Sequence, residues 1–561
     1  MARRATTVRP SIGQYLIQRL QDYGVRHVFG IPGDYILGFY DQLSRSPLSV
    51  VGTAKEDGAG FAADAYARVH GMGACCVTYC VGGLSVANAV AGAYAEKSPV
   101  VVITGSPGLR ERTNDPLLHH KVRTFATQRE IFEKITVAAV VIDDLETAYR
   151  DIDLALAACW KQKRPVYIEL PRDMVDRVPE HPYRRTDLDE QSDPATLAEA
   201  VAEAVARLRA AKRPVILADV EIHRYGLQYE LITLSELTGI PIAVTILGKS
   251  VVGELHPNYL GIYEGAMGRD SVRATVEGSD CLLMLGTFLT DVNLGIFTAR
   301  LDPALTIEAT SEKVQISRHR YDGLSLGDFL RGLLAAKLPR RAKPRPAVKR
   351  VKPAVAVPDA KLTVTRLFRL LDARLSDDLA VVCDVGLCLF GAIDLTIHRG
   401  TEFIAPAYYT SMGFAVPASI GVGLANPRTR PVVLVGDGAF QMTGMELSTA
   451  VRQGLAPIVL VLDNHGYTTE RCIQDGPYND ILGWNYHRIP EVLGAGWGAL
   501  VRTEGEFAAA WAHAIADRTG FSLLSLQLDA NDGCPALTRL GQRMAENLAE
   551  PITGARRGPR P

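Results

Sequence analysis

No stretch of this 561-residue chain approaches the ~20 consecutive apolar residues that a membrane-spanning helix needs. Charge of one sign is also missing. The 61 Lys and Arg nearly cancel the 62 Asp and Glu, leaving a formal net charge of −1, and without a basic footprint neither nucleic acid nor an anionic membrane surface is expected as partner. Paired cysteine spacing is absent too. Nine cysteines, an odd number, scatter from Cys75 to Cys534 with no second Cys or His pair at zinc spacing, which argues against a disulfide framework and for a reduced, cytoplasmic chain. Cys75, Cys76 and Cys80 in ACCVTYCVGG read as small buried hydrophobes. The start, MARRATTVRP, carries arginines but no apolar run follows it, so no secretory leader is expected. Small-molecule chemistry is the class left in favour.

What is present is length and a repeating pattern. At roughly 150 residues per domain the chain is long enough for three or four domains. Glycine-punctuated apolar runs alternate with amphipathic helical stretches, the mark of an α/β protein built on doubly wound parallel sheets. Buried strands are expected at 27–31, 74–79, 100–104, 165–170, 214–219, 281–286, 431–437 and 457–463, where Val, Ile and Leu run almost without interruption. The polar, proline-bearing stretch 179–194 and the basic, proline-rich stretch 337–359 read as connections. The expected domains are therefore 1–185, 190–340 and 360–550, with a tether over 341–359 and a disordered tail over 551–561.

The sharpest motif is PVVLVGDGAFQMTGMELSTAVRQGLAPIVLVLDNHGY, 431–467. One buried strand runs into Gly436-Asp437-Gly438, a helix follows, and a second strand ends at Asp463-Asn464. A right-handed crossover brings Asp437 and Asn464 together at the carboxyl ends of neighbouring strands, where open α/β sheets bind ligands. Their oxygens suit Mg²⁺, the glycines admit phosphate oxygens, and the helix start favours negative charge. Gly-Asp-Gly alone fits a tight turn with a capping Asp; with Asn464 in the same unit it reads as a site for a diphosphate held through Mg²⁺.

Four features of the remaining chain bear on chemistry. Glu56 stands where a strand-like start meets an Ala-rich helix, and would favour the helix dipole whatever else it does. Asp34 sits in the Pro-Gly turn of GIPGDY; His119 and His120 form a rare adjacent pair; Glu470 in GYTTERCI lies just past Asn464.

Together these motifs resemble the thiamine diphosphate-dependent 2-oxo acid decarboxylases, of the pyruvate and indolepyruvate decarboxylase branch, over roughly residues 11–545. The family usually has two asparagines where this chain has Asp463-Asn464, and the metal ligand matches Asn464. The resemblance implies a pyrimidine-binding first domain, a middle domain without flavin and a diphosphate-binding third domain. It implies thiamine diphosphate and Mg²⁺ as cofactors, with Asp437, Asn464 and the Gly466 carbonyl as metal ligands. Gly436, Gly438, Ala439 and Tyr467 would surround the cofactor, Met412 would wedge it into a bent shape, the Thr410 carbonyl would receive its amino group, and Glu56 would activate the pyrimidine.

In catalysis the resemblance implies that Asp34 and His120 relay protons, His119 orients them, and Glu470 lies beside the substrate carboxylate. Positions matching the family's substrate pocket are Leu389, Phe390, Thr469, Ile473, Leu540 and Met544. Thr469 is smaller than the isoleucine common in pyruvate specialists, so a bulky or aromatic 2-oxo acid is expected, with pyruvate the alternative and a carboligase of the acetolactate synthase type a further one. The family's shared sites imply a homo-oligomer, at least a dimer and expected as a tetramer.

Overall fold

The computed structural model describes residues 9–184, 192–341 and 353–539, and its architecture is α/β as expected. Eleven residues of the expected tether, 342–352, and all of the expected tail, 551–561, lie outside the described residues. Each of the eight runs read as buried strands is one, within a few residues at either end.

Three sheets form. The first is wholly parallel, in the order Ser49–Gly52, His27–Gly30, Gly73–Val77, Val100–Ser106, Val166–Pro171, Ala139–Val141. The last is Phe403–Ile404, Leu379–Cys383, Arg430–Gly436, Ile458–Asp463, Ser522–Gln527, Trp497–Val501, again parallel throughout. Numbered by chain order within each sheet, both run 2-1-3-4-6-5. The middle sheet is parallel from Tyr259–Ile262 through Ile242–Val244, Pro214–Ala218 and Cys281–Leu285 to Thr306–Ala309, then adds the antiparallel strands Lys313–Ile316 and His319–Asp322.

Small residues decide how the first and third sheets meet. The helix Glu56–His70, rich in Ala and Gly, packs on the apolar helix Ala415–Ala425, and their residues belong to one continuous core. The approach is so close that a side chain on Gly421 would lie 2.1 Å from the Ala62 carbonyl oxygen. Buried charges reinforce the junction. Arg68 holds Asp64 through two nitrogens, at 2.7 and 2.8 Å, and reaches Glu96 at 2.9 Å and the Ala405 carbonyl at 2.9 Å. Glu96 Oε1 in turn accepts the Tyr408 and Tyr409 N–H groups, both at 2.8 Å. Lys97 pairs with Glu221 of the middle region, both buried. Burying these ions is costly in isolation, and their hydrogen bonds offset the cost.

Because the obstacle at Gly421 is backbone, it cannot swing aside as a side chain would. Gly421→Ala is expected to destabilise the protein by about 1–3 kcal/mol, read as a lower thermal unfolding midpoint, while alanine at Gly226, which has open space around it, should cost less despite its left-handed backbone.

Candidate cofactor and active site

The strand Arg430–Gly436 turns into the helix Asp437–Thr443, and its parallel neighbour Ile458–Asp463 delivers Asn464 beside it. Asp437 and Asn464 are both buried. Asp437 Oδ2 accepts the N–H groups of Asn464 and Gly466, each at 3.2 Å, and its Oδ1 accepts that of Gly438 at 2.8 Å. Asn464 Nδ2 donates to Thr468 Oγ1, which leaves its side-chain oxygen for another partner. Burial, with the Asp463 carboxylate nearby, pushes the Asp437 carboxyl up to about 6. The turn beyond is possible only with glycine at 466, which has φ +146° and whose added side chain would fall 2.0 Å from the Asn479 carbonyl oxygen. At Gly436 the reverse holds: a side chain there would meet nothing within 4 Å, so the backbone stands open.

That opening belongs to a cavity of about 320 Å³. Fourteen residues read from the last third of the sequence line it: Leu389, Phe390, Thr410, Met412, Gly436, Asp437, Gly438, Ala439, Asn464, Gly466, Tyr467, Thr469, Glu470 and Ile473. Leu389 and Phe390 are buried, Glu470 is exposed, and the Thr469 hydroxyl is buried without a partner. Thr410 has φ +56°, rare strain for a β-branched residue and a mark of functional segments. Leu540 and Met544 lie outside the described residues.

The first-domain candidates assemble elsewhere. Asp34 Oδ2 lies 2.8 Å from His119 Nε2, and Asp34, His119 and His120 each offer an atom within 4.8 Å of the others. Tyr35, fully buried, stacks on His119 with ring centroids 4.7 Å apart and sets its hydroxyl 3.3 Å from Nδ1. His120 Nδ1 is buried and unpartnered. Glu56 opens its helix half-buried, just after two N–H groups, of Ala54 and Lys55, that donate to Glu446 of the third domain at 3.0 Å. Among the described residues, none before Met267 lines the cavity. Within one chain, the Asp34 trio and Glu56 are thus not brought to it.

Three family models describe this chain: the thiamine pyrophosphate enzyme N-terminal TPP binding domain over residues 10–131, the central domain over 201–333 and the C-terminal TPP binding domain over 384–526. Among curated proteins it is 36% identical to an indole-3-pyruvate decarboxylase of Azospirillum brasilense over 96% of this chain and 99% of that one. It is 37% identical to an alpha-keto-acid decarboxylase of Mycobacterium leprae, over 95% and 96%. The chain belongs to the thiamine diphosphate-dependent 2-oxo acid decarboxylase family.

For a member of this family, several residues at the site carry no sequence signal. Met267, Asp291, Val292 and Ile296 reach the cavity from the middle region, and only the folded topology brings that segment near Asp437. Tyr35, beside Asp34 in the chain, gives no sign in the sequence of its contact with His119. Asp384, wholly buried, accepts the N–H groups of Val385 at 3.0 Å, Gly413 at 3.2 Å and Ala415 at 2.9 Å. It thereby ties the end of the strand Leu379–Cys383 to the segment carrying Thr410 and Met412.

Burial pushes the Asp384 carboxyl up to about 6 from an ordinary 3.8, against the pull of those N–H groups. The folded protein therefore holds this proton more tightly than the unfolded chain, so the contribution of Asp384 is fully present below about 4 and is lost as pH rises through about 6. The melting temperature of the cofactor-free Asp384→Asn variant, minus that of the parent, should become more positive from pH 4 to 6 and level off above. A difference independent of pH would count against this.

Proposed function

We propose that the protein binds thiamine diphosphate through Mg²⁺ and converts a bulky or aromatic 2-oxo acid to an aldehyde and CO₂. The observation that carries the reading is the convergence, on one cavity, of buried oxygen donors from Asp437 and Asn464 with the open backbone at Gly436. A hard divalent cation suits such oxygens, and a Cβ-free backbone suits the diphosphate. The Gly466 carbonyl completes the protein's share of the metal shell. Thiamine diphosphate, when bound, supplies the electron sink for the pair left behind as CO₂ departs.

The chain's own residues do the rest. Met412 and the Thr410 carbonyl hold the cofactor's shape, with Gly438, Ala439 and Tyr467 around it, and Glu56 gives a carboxylic acid to its pyrimidine. The Tyr35 hydroxyl, 3.3 Å from both His119 Nδ1 and the His119 carbonyl oxygen, holds the ring with Nε2 against Asp34; His119 orients, and Asp34 and His120 move protons to and from the reacting carbon and oxygen. Glu470 borders the substrate carboxylate, while Leu389, Phe390, Thr469 and Ile473 bound the side chain. Leu540 and Met544 are assigned to the same pocket on the family's pattern alone.

A second copy of the chain supplies the half that one cavity wall lacks, which makes the enzyme a dimer at least and, by family pattern, a tetramer. Large apolar side chains left in solvent support this, Leu117 at 96% and Leu482 at 80% exposure among them. In the middle region, Glu221 accepts the Ser311 N–H and hydroxyl and Asp219 accepts the Phe288 N–H. The strand ends there are filled by the protein's own groups, which supports a domain without flavin. Nine free cysteines, eight of them buried, fit a cytoplasmic enzyme. The indole-3-pyruvate decarboxylase relative favours an aromatic acid.

Steady-state turnover of pyruvate, phenylpyruvate, indolepyruvate and a branched 2-oxo acid tests the reading. Aldehyde formation dependent on thiamine diphosphate and Mg²⁺ is expected, with kcat/KM higher for at least one large acid than for pyruvate. Acetohydroxy acid as the main product would assign a carboligase instead. Asp437→Asn should weaken Mg²⁺-dependent thiamine diphosphate binding by about tenfold or more, measured by fluorescence quenching, with the circular dichroism spectrum unchanged.

A further inference from the structure

Lys249, in the middle region, is completely buried and sends its ammonium group across to the third. Nζ donates to Glu254 Oε1 at 2.7 Å, to the Leu395 carbonyl at 2.7 Å and to the Ile393 carbonyl at 3.0 Å. Three protons meet three acceptors, which a buried ammonium requires. Ile393 caps the helix Leu387–Ala392, so the cation stands where the last helical carbonyls lack partners within the helix. The grip continues along the chain. The Glu254 N–H donates to the Ile397 carbonyl at 2.8 Å, and the Phe403 N–H donates to Ser250 Oγ at 2.6 Å.

This short helix carries Leu389 and Phe390 on the cavity wall. Behind it there is no slack: a side chain on Gly391 would lie 2.0 Å from the Phe368 ring. Stability alone does not demand an ion pair at such a place, since well-packed apolar residues hold a core as well or better. What the pair adds is direction, because a charge-assisted hydrogen bond fixes the carbonyls it touches in a way that apolar packing does not.

We propose that Lys249 is a positioning residue for the substrate wall: by holding the Ile393 and Leu395 carbonyls it sets how Leu389 and Phe390 meet the side chain of the 2-oxo acid, and so how bulky an acid the enzyme prefers. The proposal rests on the reading of those two residues as substrate-facing. The middle region then has a duty at the active site exerted through one amine, beside its direct contribution of Met267, Val292 and Ile296 to the wall.

The test compares phenylpyruvate with pyruvate on the full-length holoenzyme for Lys249→Met, Lys249→Arg and the charge-neutral pair Lys249→Met/Glu254→Gln. For both Met-containing variants the KM for phenylpyruvate should rise about tenfold, the scale of one disturbed apolar contact. The KM for pyruvate, its kcat and the affinity for thiamine diphosphate should stay within about twofold, and Lys249→Arg should recover most of the preference. Equal factors for the two acids, or loss of folded protein in all three variants, would assign Lys249 to folding alone and overturn the proposal. Turnover of neither acid by the parent would instead overturn the decarboxylase reading on which the proposal stands.

Discussion

The backbone contact between Gly421 and Ala62 is the constraint on which the remaining geometry depends. It presses the helix Glu56–His70 against Ala415–Ala425 with almost no side chain between, so the first and third regions share one core. Once that pairing is fixed, Glu446 meets the Ala54 and Lys55 N–H groups and Glu96 meets those of Tyr408 and Tyr409, next to the strained Thr410. The same pairing leaves the cavity lined by the middle and third regions and turns Glu56 and the Asp34 trio elsewhere. A tight joint inside one chain thus keeps the two groups of candidate residues apart, and on the proposed reading a second copy brings them together.

The first and last sheets repeat one strand order, 2-1-3-4-6-5, yet their strand ends carry different chemistry. One presents oxygen donors and bare backbone at Asp437, Asn464 and Gly436; the other presents a carboxylate and two imidazoles at Asp34, His119 and His120. Asp34 and the two histidines follow the first and fourth strands of one sheet, Asp437 and Asn464 the third and fourth of the other, a difference that the shared topology alone would not predict. The middle sheet, closed off at its strand ends by Asp219 and Glu221, works as a brace through Lys97 and Lys249.

The sequence discloses whatever is local. Strands buried on both faces, such as Val100–Ser106 and Ile458–Asp463, read as continuous apolar runs. Short or edge strands such as Ala139–Val141 and Trp497–Val501 carry weaker patterns, since their residues are only partly buried. The Asp437–Asn464 pairing was legible because one βαβ crossover dictates it. Asp291, Ile296 and Lys249 were not, because their relation to the cavity depends on how separate sheets dock. Asp384 hides for another reason: its value lies in the backbone N–H groups it gathers, which no motif records.

A cavity wall drawn from only part of a chain has a thermodynamic consequence. On the two-copy reading, cofactor capture and subunit association draw on the same free energy, so each raises the other by mass action. Thiamine diphosphate then acts as a removable cement between copies, and the protein's oligomeric order becomes a gauge of cofactor supply. Scarcity would silence the enzyme by loosening its assembly while each chain, held by the Gly421 joint, stays folded and ready to be reloaded.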